Sequence, residues 1–234
     1  MYDEKRRINY YDLDFGGQVK LSALLRMVHI AADENARSLG IGHDILFARN
    51  LTFILQRITF SVKKTPLYGD VVRLRTWPDG VSKGTFIRKG DMHLNDKIMD
   101  WASMWILFDF KERKILKPSA LNIDLPLYDG LGAETMPKKV QASGELYHSY
   151  LHKVRYADID TNLHINNAIY GDLIGNAVFP SDARPNFSEI SINYMAEAHM
   201  GAEVLVSAYT TESGFFVKGE SEGKTTFTAS LLID

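Results

Sequence analysis

The stretches "YYDLDFGGQVKLSALL", Tyr10 to Leu25, and "YADIDTNLHINNAIY", Tyr156 to Tyr170, begin alike. With Tyr10 set on Tyr156, Asp12 and Asp14 fall on Asp158 and Asp160, at an offset of 146 (156 less 10). A second pair follows in the same order. "RITFSVKKTPLYGDVVRLR" (Arg57 to Arg75) lines up with "EISINYMAEAHMGAEVLVS" (Glu189 to Ser207), setting Gly69 on Gly201 at an offset of 132 (201 less 69) and Ile58, Phe60 and Val62 on Ile190, Ile192 and Tyr194. Two ordered matches imply a duplicated domain whose helix-bearing segment is about fourteen residues longer in the first copy.

Each copy reads as a strand, a helix and then several strands. After the Asp-x-Asp turn of the first copy, Leu21, Leu24, Leu25, Val28, Ala32 and Leu39 recur near helical spacing, and "GIG" at Gly40 to Gly42 supplies a stop. Strands are expected at "FILQRITFSV", "DVVRLRTWP", "TFIRKGDMHL" and "MDWASMWILFDF", with "NDK" (Asn95 to Lys97) as a hairpin turn. The second copy repeats this, with a helix from about Ala168 to Val178 and strands at "EISINYM", "EVLVSAYTT", "FFVKGES" and "TTFTASLLI". Between them, Lys117 to Gly144 carries Pro118, Pro126, Pro137, Gly130 and Gly132 and suits a linker. One helix wrapped by an antiparallel sheet, twice over, is an α+β pattern.

Composition narrows the function classes. At 234 residues with 45% hydrophobic and 24% charged, the chain can bury a full core. A formal charge of −2 and a pI near 6.4 give no global basic field, which argues against nucleic acid or an anionic membrane as main partner. The start "MYDEKRRINYYDLD" lacks a signal peptide's apolar core, and the longest clean apolar run found is "MWILF" at Met104 to Phe108, so a cytoplasmic protein is expected. Zero cysteines excludes disulfides, thiolate metal sites and a cysteine nucleophile together.

The duplication helps to separate structure from chemistry. The aspartates occur in both copies and read first as turn-formers or caps. Asn162 and His164 instead fall opposite Gly16 and Gln18, and Glu197 opposite Thr65, which concentrates the chemistry in the second copy. A calcium loop starting at Asp158 would need glycine at its sixth position and glutamate at its twelfth, where this chain has Leu163 and Ile169. A divalent metal on Asp158, Asp160 and His164 would lack a second histidine at ligand spacing, so neither metal nor cofactor is expected. His43, His93, His148, His152 and His199 have no comparable polar company in sequence, and His29 falls within the first helix pattern. Gly171 and Gly175 share one face of a short helix and suit either close helix-to-sheet packing or room for a substrate arm.

"DIDTNLHINNAIY" resembles the Asp-x-Asp-x-Asn-x-His-x-Asn-Asn-x-x-Tyr motif of the acyl-acyl-carrier-protein thioesterases of bacteria and plant plastids. "INYMAEAHMG" is similar to the family strand that ends in a catalytic glutamate, and "TWPDGVSKG" and "SMWILFDFKERK" extend the likeness into the first half. The resemblance implies two tandem hotdog domains: residues 1–130 holding the acyl chain beside a degenerate site, a linker at 131–146, and a catalytic domain at 147–234. It implies Asp160, Asn162, His164 and Glu197 as the catalytic set, and acyl carrier protein, carrying its acyl chain on 4'-phosphopantetheine, as partner. A homodimer is left open. Plant members carry a cysteine after the glutamate, and Ala198 stands there in this chain.

The chemistry is consistent with that set. A thiol leaves as a thiolate with a reference pKa of ~8.5, so thioester hydrolysis chiefly needs an activated water and a held oxyanion. Glu197 and His164 would orient and deprotonate the water, Asn162 would polarise the carbonyl, and Asp160 would orient Asn162 or the imidazole. Direct attack by Glu197 is the alternative to a general-base role. An acyl-CoA thioesterase and a non-catalytic acyl-thioester-binding protein are the competing readings. Lys63/Lys64, Lys111 to Lys114 with Lys117, and Lys138/Lys139 read either as solvated faces or as docking points for an acidic carrier.

Overall fold

The computed structural model describes residues 1–128, 131–179 and 186–233. Gly130, assigned above to the linker, lies outside the described residues. In chain order the elements are β1 (Tyr2–Arg7), α1 (Leu21–Ser38), α2 (His43–Ala48), β2 (Leu51–Val62), β3 (Val71–Ser82), β4 (Thr85–His93), β5 (Lys97–Asp109), β6 (Lys114–Leu116), β7 (Glu145–Lys153), α3 (Ile169–Val178), β8 (Phe187–Tyr194), β9 (Glu203–Thr211), β10 (Gly214–Ser221) and β11 (Lys224–Ile233). Among the described residues no helix is long and apolar enough to cross a membrane. Packing divides the chain into two compact units, Met1–Ile8 with Met27–Lys138 and Asn9–Arg26 with Lys139–Asp234. This division follows packing more than chain order, since the first-copy turn and the start of α1 belong with the second unit.

The first unit is an antiparallel sheet in the order β1-β3-β4-β5-β2, with β6 on the outer part of β5. Of the positions picked out by helical spacing in this part of α1, Val28 is buried and Ala32 half-buried, and Met27 and Ala31, which the spacing did not single out, are buried beside them. Gly40 ends the helix with a positive φ of 74° and donates to Arg37 O at 3.1 Å, a left-handed closing turn that glycine enters without strain. The short α2 that follows was not expected. It contributes Leu46 to a buried cluster with Ile41, Leu51, Phe86, Leu107 and Leu121. On the sheet, buried Asp91 accepts both prongs of the Arg75 fork, from Nε at 2.8 Å and Nη2 at 2.5 Å. A carboxylate taken out of water is tolerated when held in this bidentate way.

The second unit repeats the plan, in the order β8-β11-β10-β9-β7, again antiparallel throughout. α3 packs on β9, β7 and β10, burying Tyr170, Leu173, Ile174, Ala177 and Val178. The duplication extends to single hydrogen bonds. Gly69 and Gly201 both adopt positive φ, 83° and 88°, and donate to Ile8 O at 3.0 Å and Val154 O at 2.9 Å. Ile8 N and Val154 N donate in return to Asp70 O and Ala202 O, at 2.8 and 2.9 Å. The paired glycines of the sequence alignment therefore mark one turn used twice.

Gly171 and Gly175 do not act as a pair. A Cβ on Gly171 would lie 2.5 Å from Ser22 N and 2.8 Å from the Leu21 carbonyl carbon, so this glycine admits the start of α1, not a strand. A Cβ on Gly175 would meet nothing within 4 Å. Ser22 Oγ donates to Asp172 at the same crossing.

Candidate active site

The site motif begins in a tight turn that both copies share. Asp158 Oδ2 accepts Arg155 N at 2.8 Å, as Asp12 Oδ2 accepts Asn9 N at 2.9 Å. Asp160 Oδ1 accepts Asn162 N at 2.8 Å, and Asp14 Oδ1 accepts Gly16 N at 2.8 Å. Asp160 N donates to His164 O at 3.1 Å and Asp14 N to Gln18 O at 2.9 Å, closing a small loop in each case. Short bridges, Ile159 with Ile165 and Leu13 with Val19, frame the two loops. These aspartates are turn-formers: Asp14 and Asp160 accept an N–H two residues ahead, which mimics a backbone turn, and Asp12 and Asp158 reach back to an N–H three residues behind.

Within that frame the second copy carries different side chains. Leu163 takes a positive φ of 66°, which turns the chain so that His164 leaves the loop on the side of a second segment. That segment contains Glu197. Ile165 N donates to Ala198 O at 2.9 Å, and His164 bridges His199 in antiparallel fashion. Backbone pairing thus brings together residues over thirty positions apart, and buried Ala198 acts through its carbonyl.

The two imidazoles are oriented alike. His164 Nδ1 lies 3.1 Å from Ile165 O, and His199 Nδ1 lies 3.1 Å from Leu163 O. A carbonyl only accepts, so each ring carries its proton on Nδ1 when neutral and keeps the Nε2 lone pair. For His164 that lone pair is the feature a general base needs. His199 Nε2 lies 3.9 Å from Glu197 Oε2, too far for a hydrogen bond and close enough for attraction when the ring is protonated. His199 was read from sequence as an ordinary residue, and so was His152, whose Nε2 lies 2.9 Å from Asp158 Oδ2.

Of the two expected roles of Asp160, orienting Asn162 or the imidazole, its contacts run to the first. Besides Asn162 N it accepts Asn166 Nδ2 at 3.5 Å, and Asn166 Oδ1 in turn accepts Ala168 N at 2.9 Å just before α3. It thus holds Asn162 through the backbone. The Asn162 side chain is exposed, with no partner for its amide among the described residues. Tyr170 lies beneath: its hydroxyl pKa is raised, first by burial and then by the negative fields of Glu197 and Asp160. Both carboxylates therefore act on one buried phenol, which stacks edge-on against Tyr194 and Phe227 at 5.5 and 5.0 Å.

Residues 1–119 match the acyl-ACP thioesterase N-terminal domain, and residues 142–230 match the acyl-ACP thioesterase C-terminal domain. A palmitoyl-acyl carrier protein thioesterase of Arabidopsis thaliana chloroplasts is 24% identical over 182 residues, 72% of this chain and 43% of that one. The chain spans about half the length of the curated relatives it matches. In structure, an acyl-ACP thioesterase from Bacteroides thetaiotaomicron superposes with a TM-score of 0.83 at 19% identity, covering 99% of this chain and 97% of its own. The 12:0-ACP thioesterase from Umbellularia californica gives 0.84 at 16% identity, covering 100% and 96%. The shared fold is the double hotdog.

Proposed function

The chain belongs to the acyl-ACP thioesterase family, and we propose that it hydrolyses the thioester of an acyl-acyl carrier protein, releasing free fatty acid in fatty acid biosynthesis. The observation that carries the reading is the second-copy turn, in which His164 has Nδ1 on a carbonyl and Nε2 free while backbone pairing brings in the Glu197 segment. In the proposed step His164 Nε2 takes a proton from water and the water oxygen adds to the carbonyl carbon. Glu197 orients the water, and the Asn162 amide donates to the developing oxyanion, a contact typically worth ~3 kcal/mol. The tetrahedral intermediate collapses with cleavage of the C–S bond, and the proton held by His164 leaves with the pantetheine thiolate. Asp160 supports Asn162 through the turn. The proposal includes a cytoplasmic setting and no cofactor.

Two readings of the donor are separated by one experiment. An acidic carrier protein meets a broad charged surface, whereas coenzyme A offers only its phosphates, so steering by the carrier is screened over ~8–10 Å at physiological salt. With acyl chains of equal length, kcat/KM for the carrier-protein substrate should exceed that for acyl-CoA by ~10-fold or more and fall steeply from low to physiological salt. Equal rates, or a preference for acyl-CoA, would reassign the donor.

A further inference from the structure

The first unit contains a cavity of about 200 Å³, larger than the ~150 Å³ apolar cavity known to take up benzene. Ala32, Leu46, Phe53, Phe86 and Trp105 supply apolar wall, and the lining also includes His29 and Arg88. Those two are out of place in a purely aliphatic pocket. Arg88 stands half-buried on β4, and burial lowers its pKa to about 10, which still leaves it cationic at neutral pH. It makes two hydrogen bonds, both from Nη1: to Asn35 Oδ1 at 2.8 Å and to Thr76 Oγ1 at 3.3 Å. No carboxylate pairs with it among the described residues. Asp33, the acid lining the cavity, pairs with Arg37 at 3.3 Å.

The free edge of Arg88 is its side-on fork, Nε with Nη2. Three strand positions away in the sheet register, and so on the opposite face, Arg75 uses that same edge to hold Asp91. A partly desolvated guanidinium gains from an anion beside it, and a carboxylate is the ligand that fits the fork. His29 adds a second unsatisfied group: its Nε2 is buried without a partner, on a ring packed edge-on against Trp105 at 6.0 Å.

We propose that this cavity binds an aliphatic carboxylate, its chain against the apolar wall and its carboxylate on the Nε/Nη2 fork of Arg88. The carboxylate belongs either to a free fatty acid or to the far end of an ω-carboxyacyl thioester. The first source makes the cavity a sensor of the product class in the proposed reaction, and the second makes it a specificity site. Binding itself does not depend on hydrolysis, so the two proposals stand or fall separately.

The test is calorimetric titration of the full chain at pH 8 with octanoate and with 1-octanol, which share a chain and differ in charge. Octanoate should bind ~10-fold or more tightly, as a charge-assisted bidentate contact predicts. Arg88→Met should remove that preference while keeping affinity for 1-octanol, and Arg88→Lys, a cation without the fork, should retain only part of it. Equal or weaker binding of octanoate by the unsubstituted protein overturns the proposal, whatever the folding of the variants. A preference that survives in Arg88→Met overturns it as well. Higher kcat/KM for an ω-carboxyacyl thioester than for the plain acyl thioester would assign the site to substrate, and inhibition by octanoate without that gain would assign it to free acid.

Discussion

Replacing His29 with leucine should remove a defined part of the protein's acid sensitivity. Burial holds the His29 imidazole neutral, lowering its pKa from 6.5 to about 4. The unfolded chain takes up a proton there near pH 6.5 and the folded chain does not. Stability is therefore unaffected above pH 6.5, is lost as pH falls from 6.5 toward 4, and levels off once the folded imidazole also protonates. The gap between the two pKa values corresponds to at most about 3 kcal/mol. The charged and titratable groups lining the same cavity are Asp33, His43 and Arg88, and none of them is altered by the substitution. At pH 7.5 the variant should match or exceed the parent by ~1 kcal/mol, because an unpaired buried nitrogen has been removed. Urea unfolding of both proteins at pH 7.5, 6.5, 5.5 and 4.5 measures the effect. The variant should become progressively the more stable of the two below pH 6.5. An equal acid loss in both proteins would refute the assignment of a buried, neutral His29.

Gly171→Ala should lower stability by ~1–3 kcal/mol, because its Cβ would lie 2.5 Å from a backbone nitrogen of α1, whereas Gly175→Ala, with open space at Cβ, should raise stability by up to ~1 kcal/mol through helix propensity; thermal melts of both decide it. Asp14→Ala and Asp160→Ala should each cost ~1 kcal/mol in urea unfolding, since each carboxylate caps the same turn. Unchanged stability in Asp160→Ala with complete loss of turnover would show that Asp160 acts on substrate and is not a turn-former.

What was legible in the sequence was local or twofold. The Asp-x-Asp turns and the Gly69/Gly201 turns were visible because each depends on residues close together in the chain, and the duplication displayed them twice. The strands at "EVLVSAYTT" and "TTFTASLLI" fall within a residue of β9 and β11 because alternation marks a half-buried strand. α2 was missed because a helix of six residues after a glycine stop carries too little periodicity to register. His199 was missed for a different reason: its hydrogen-bond partner Leu163 meets it through a bridge between distant segments, which spacing along the chain does not reveal. Arg88 gave no signal either, because an arginine in a strand ordinarily faces water, and only packing shows that it lines a cavity.

The most direct test of the proposed catalytic site is the release of free fatty acid from acyl-acyl carrier protein by the purified chain and by His164→Ala, Glu197→Ala and Asn162→Ala, with melting followed in parallel. The parent should show measurable turnover and each variant a loss of ~100-fold or more at nearly unchanged melting, because the three side chains lie on partly or fully exposed positions outside the core. Turnover retained in all three variants, or none in a correctly folded parent, would contradict the proposed catalytic site.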